Sequence, residues 1–226
     1  MRLLSNPRIT SCALVFAGAL VLATSQLWAD EAAGGPAGSG SPAGSGGLAG
    51  AGGPAHHHSA TATIAKYTAE YAPPAVELIR DDGKSVWLPQ ELDDGRPVLL
   101  NFIFTSCSSV CPLASQTFAQ FQRKLGAESK TVHLMSISID PEEDTPARLA
   151  EYAKKFGASP QWQHYTGTLA ASLAAQRAFD VYRGEKMSHT PVTLLRSAPG
   201  KPWLRIDGFV TPDELLHEYR NLLASK

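Results

Sequence analysis

Apolar and polar positions alternate through "VELIRDDGKSVWL" (residues 76–88), broken at Asp82-Gly83, which predicts a β-hairpin. "PVLLNFIF" (residues 97–104) is a near-continuous apolar run of strand length, as expected for a central strand covered on both faces. Leu113, Phe118, Phe121 and Leu125 then recur at roughly helical spacing and stop at Gly126. "TVHLMSISID" (residues 131–140) reads as the next strand. "DTPARLAEYAKKFG" reads as a helix with Pro146 in its first turn and Gly157 past its end. A further helix is predicted over about Thr168–Phe179, a strand at "PVTLLRS", and a turn at "SAPGK" leading into the strand "PWLRIDGF". The amphipathic "TPDELLHEYRNLL" closes the chain as a helix.

The order is hairpin, β, α, β, α, α, β, β, α. A strand–helix–strand unit followed by a hairpin and a final helix implies an α/β domain with a central mixed sheet flanked by helices, the thioredoxin-like arrangement. The folded domain is expected over residues 64–226.

Upstream, the pattern changes character. Residues 1–29 carry Arg2 and Arg8 ahead of the apolar "CALVFAGALVLA", with Ala29 at a plausible cleavage point. They read as an export signal or, if uncleaved, as an N-terminal membrane anchor. Either outcome places the domain outside the cytoplasm, in a bacterial periplasm, free or membrane-tethered. Residues 30–63 form a linker that is almost entirely Gly, Ala, Ser and Pro from Glu31 to Ala55, followed by the run His56–His58. Such a stretch cannot bury enough apolar surface to offset its ordering entropy, so a tether of roughly 25–30 Å r.m.s. span is expected. The histidine run reads as solvated, with capture of a soft or borderline metal as the alternative.

With 226 residues, 43% of them hydrophobic, the chain has material for one ordinary core. A net charge of −1 leaves no basic footprint for nucleic acid. Of three cysteines, Cys12 falls in the export segment, leaving Cys107 and Cys111 as a lone pair in the globular part. That is a working site or a single staple, not a disulfide scaffold.

The pair lies between the central strand and the next helix, in "FIFTSCSSVCPL", with three residues between the sulfurs. Pro112 suits the first helical position, which would make Cys111 the N-cap or its neighbour. A helix N-terminus favours thiolate over thiol, and thiolates both attack disulfides and bind soft metals. Two thiolates and one imidazole would suit copper, above all Cu(I), whereas structural zinc wants four ligands.

Among candidate third ligands, His133 falls in a strand pattern, His217 in the last helix and His164 in an expected loop. His189 differs by its setting, "MSHTPVTLL". In thioredoxin-like folds the loop before the penultimate strand often carries a cis proline and lies against the cysteine-bearing helix. Thr190-Pro191 resembles that feature and would bring His189 beside the sulfurs. Met187 reads as a filler of apolar space, its thioether offering a further approach to an ion. Asp140 reads as a turn residue before Pro141, and Glu142, Glu143 and Asp144 as caps of the following helix.

Taken together, "LLNFIFTSCSSVCP", "SISIDPEEDTPARLAEYAKKFG", "WQHYTG" and the later histidine resemble the SCO/SenC family from about Pro73 to the C-terminus. Those proteins are thioredoxin-like, usually membrane-tethered, and help assemble the dinuclear copper centre of cytochrome oxidase. The resemblance implies that Cys107, Cys111 and His189 are copper ligands and that the client is a cuproprotein such as an oxidase subunit. It leaves a second activity open: thiol-disulfide reduction of that client, with Cys107 attacking and Cys111 resolving. Ser188 stands where members commonly carry an acidic residue, and Pro191 is unusual at its position.

Overall fold

A computed structural model describes residues 64–225; the expected export segment and linker lie outside the described residues. Eight strands form one mixed sheet: β1 Ala65–Ala69, β2 Glu77–Arg80, β3 Ser85–Trp87, β4 Val98–Ile103, β5 His133–Ser138, β6 Trp162–Gly167, β7 Val192–Arg196 and β8 Trp203–Asp207. Their spatial order is β1-β8-β7-β4-β5-β6-β2-β3. The helices are α1 Leu88–Leu92, α2 Val110–Leu125, α3 Pro146–Phe156, α4 Leu169–Ala178 and α5 Pro212–Ala224.

All six residues of β4 are buried, because the strand is covered on both faces. Leu100 and Phe102 pack with Tyr165, Ala175 and Phe179 on the α4 side. Leu99 packs with Phe118, Phe121, Leu215 and Tyr219 on the α2 and α5 side. That division explains a continuous apolar run where a one-sided strand would alternate. The expected hairpin forms between β2 and β3, with Gly83 at φ +83° in its turn.

β4 pairs parallel with β5 and antiparallel with β7. The end of β4, the end of β5 and the start of β7 therefore share one rim of the sheet, the usual place for a site in an open α/β sheet. Along that rim Ala65 pairs with Asp207, and Asp207 with Val192, next to the Thr193–Asn101 pair.

α3 begins at its N-cap Thr145, whose side chain accepts from the amide of Arg148, and ends at Gly157, φ +66°. The left-handed Gly157 lets its own amide and that of Ala158 return to Lys154 and Ala153. α5 opens with a reciprocal capping box between Thr211 and Glu214.

Three elements lie outside the expected order. β1 is an exposed edge strand without an apolar face. β6 is largely buried yet reads "WQHYTG", and two of its polar side chains are matched by neighbours. Gln163 bonds the ring of His133, and Trp162 donates Nε1 to Ser136 at 2.9 Å. α1 is a single turn after Trp87.

Truncating Leu100, fully buried at the middle of β4, is expected to lower the unfolding free energy by about 2–5 kcal/mol. The urea midpoint of Leu100→Ala checks this.

Candidate functional site

The cysteine loop leaves β4 through Phe104, whose carbonyl accepts from the amide of Cys107 at 3.2 Å. Helix α2 starts at Val110, so Cys111 is its second residue and Pro112 its third, two positions deeper than expected. Pro112 is tolerated because the first four helical amides lack intrahelical acceptors. The Ser109 hydroxyl does not cap the helix. A sulfur takes that place: Cys107 Sγ accepts from the amide of Cys111 at 3.4 Å.

The two cysteines are free and sit in unequal surroundings. Burial pushes the Cys107 thiol up, but hydrogen bonds from the Cys111 and Ser109 amides outweigh it and leave the thiol below its ordinary range. Cys111, 1% exposed against 7% for Cys107, is pushed well up by burial.

His189 follows a short 3₁₀ turn, Lys186–Ser188, and is buried. Its Nε2 stands 2.9 Å from the carbonyl of Phe102 in β4. A carbonyl only accepts, so Nε2 carries the hydrogen. Burial holds the ring's pKa down against the Phe102 bond, and the Arg183 charge lowers it further. The ring is therefore neutral, and Nδ1 presents a bare lone pair that is buried without a partner. Metal-ligating histidines are typically held in this way, with the other ring nitrogen fixed by a carbonyl.

Cys107 and Cys111 thus meet at the helix start, while His189 stands at the entry to β7. No three His, Cys, Asp or Glu side chains are gathered closely enough to hold an ion among the described residues. His189 lines a cavity of about 240 Å³ with Asp140, Gln176, Arg183 and Lys186, and neither cysteine borders it. The Thr190–Pro191 bond is trans, not the expected cis.

The acidic turn after β5 serves a purpose other than capping α3. Asp144 is fully buried, and its carboxylate accepts from the amide and hydroxyl of Thr105 and from the hydroxyl of Ser138. It anchors the cysteine loop two residues before Cys107. Asp140 closes the turn as expected, its carbonyl accepting from the amides of Glu143 and Asp144. Its side chain also takes Lys186 Nζ at 2.6 Å. Thr105, Ser138 and Lys186 had no sequence signal of their own, although "DTP" flagged Asp144.

The remaining candidates are placed elsewhere. His133 is buried, with its ring nitrogens facing the Glu91 carbonyl, Asp94, Gln163 and Tyr165. His164 lies within β6, fully buried, rather than in a loop. His217 is on the exposed face of α5, beside Asn221. Met187 is 74% exposed and fills no apolar space; the 3₁₀ turn that carries it lies on the surface.

Comparison with known proteins settles the lineage. The family model SCO1/SenC matches residues 67–224. The chain belongs to the SCO1/SenC family. The SCO1 protein homolog of Bacillus subtilis is 39% identical over 87 residues, 38% of this chain and 44% of that protein, so the match spans less than half of the relative. Arabidopsis thaliana ScoI with copper bound superposes with a TM-score of 0.58 at 30% identity, over 69% of this chain and 99% of that one. BsSco, a member of the Sco family of cytochrome c oxidase assembly proteins with an identified disulfide switch, gives a TM-score of 0.59 at 26% identity, over 72% and 99% of the two chains. The SCO1/SenC membership agrees with the thioredoxin-like fold expected from the element order.

In this SCO1/SenC protein the amide-bonded sulfur should react first. Alkylation at neutral pH is expected to modify Cys107 well before Cys111, as peptide mass spectrometry would show. Replacing Asp144 with alanine leaves buried donors unpaired, at a cost of about 1–3 kcal/mol, and should speed alkylation of Cys107. The chemical denaturation midpoint and the labelling rate check both effects.

Proposed function

We propose that this chain takes up copper through Cys107, Cys111 and His189 and passes it to a client copper site, the dinuclear centre of a cytochrome oxidase, outside the cytoplasm. One observation carries the reading: a neutral imidazole whose Nε2–H is fixed on Phe102 and whose buried Nδ1 has no partner. A free thiol pair supplies the other two donors, and copper is bound in the Arabidopsis thaliana relative.

The donor set fits the ion. Two thiolates and an imidazole are soft enough for Cu(I), and binding releases the thiol protons. Because the three groups are not gathered as they stand, uptake has to turn the two thiol side chains toward the imidazole, which is already fixed on Phe102. A three-coordinate ion then leaves room for a client thiolate, so that the metal moves by ligand exchange.

A second reading rests on the amide-bonded Cys107. As thiolate it attacks a client disulfide, forming a mixed disulfide and expelling one client thiolate. Cys111 gives up its proton and attacks the Cys107 sulfur, releasing the second client sulfur. The chain ends as the Cys107–Cys111 disulfide, and the client gains two electrons and two protons.

His189→Ala separates the readings. Competition titration of reduced protein with Cu(I) is expected to show affinity lower by about 100-fold or more, beyond the loss typical of an outer-shell partner. Reduction of a model disulfide should proceed at the wild-type rate. Unchanged copper affinity in this variant would overturn the metal reading and favour the reductase.

A further inference from the structure

The loop that bears His189 runs into β7 and the loop that bears Cys107 leaves β4, yet an unbroken chain of polar contacts joins them. Lys186, three residues before His189, bonds the Asp140 carboxylate at 2.6 Å. The amide of Asp140 donates to Ser138 Oγ at 3.0 Å, and Ser138 Oγ donates to Asp144. Asp144 in turn accepts from the amide and hydroxyl of Thr105. A shorter route runs beside it. Lys186 Nζ also lies 6.0 Å from the centre of the Phe104 ring, whose residue accepts the amide of Cys107.

The middle of this chain is stiff. Ser138 and Asp144 are fully buried, Asp140 nearly so, and the turn between the two aspartates is closed by bonds from the Glu143 and Asp144 amides to the Asp140 carbonyl. The Lys186 end is different, with 43% of its side chain exposed. It is the most exposed link in the chain and fastens the start of the histidine segment, whose ring is held separately on the Phe102 carbonyl.

Building on the copper reading above, we infer that Lys186 and the Asp140–Asp144 turn form a brace that fixes the His189 segment relative to the cysteine loop and thereby tunes metal affinity. Lys186 and Asp140 are positioning residues: neither supplies a donor atom to the ion. Three donors from two loops bind one ion only if their separation is held within a narrow range, so slack in the fastening is paid at the metal site.

A half-exposed ion pair contributes modestly, so the expected effect is small and graded. In competition titrations of the reduced full chain with Cu(I), K186M and D140N should each bind about 3- to 10-fold more weakly. K186R, which keeps the charge and the reach, should stay within about 2-fold of wild type. A metal-free readout accompanies this. Hydrogen exchange of the His189 amide, which donates to the Lys186 carbonyl, should quicken in K186M by a similar factor, with the thermal midpoint unchanged.

If K186M binds Cu(I) as tightly as wild type while His189→Ala does not, the brace is overturned and the copper reading stands. Should the wild-type chain take up no Cu(I), the copper reading fails, and hydrogen exchange decides the brace alone. Unaltered exchange at His189 in K186M would then refute it, and faster exchange would uphold the tie between the two loops.

Discussion

The pairing of β4, parallel to β5 on one side and antiparallel to β7 on the other, is the constraint that makes a site possible. It sends three chain segments, far apart in sequence, to a single rim: the cysteine loop, the acidic turn and the approach to β7. Burial on both faces locks the strand's register, since a slip of one residue would exchange its two hydrophobic faces. The side chains at the rim inherit their positions from that lock.

Within the rim, the two sulfurs are divided by their surroundings rather than by their chemistry. Four residues apart, one replaces a helix cap and is held by amides, and the other is sealed under the helix it belongs to. Such asymmetry serves either reading. An attacking sulfur needs the amide-stabilised environment, and a resolving or second-ligand sulfur is better kept out of solvent until its partner has engaged.

How much of this was legible in the sequence follows from which residues carry their own signal. β4 announced itself by a near-continuous apolar run, and α3 by Pro146 and Gly157 at its two ends. β6 did not, because His164, Gln163 and Thr166 are polar residues that break the apolar pattern of a covered strand. β1 did not, because an edge strand needs no apolar face. The cysteine pair was plain from its isolation and spacing, but the start of α2 was misplaced: a sulfur does the capping there, and Pro112 tolerates a deeper position. Asp144 shows the limit most clearly. An aspartate before Thr-Pro looks like a helix cap, and only the fold reveals Thr105 and Ser138 gathered around it.

β1 runs along the margin of the sheet, and its first residue, Ala65, stands in the row that includes Asp207 and Val192. Three inter-strand spacings separate it from β4, about 14 Å. The polypeptide therefore enters the domain on the flank that bears the cysteine loop and His189, not behind it. Whatever engages the sulfurs and the imidazole therefore has the start of this edge strand beside it.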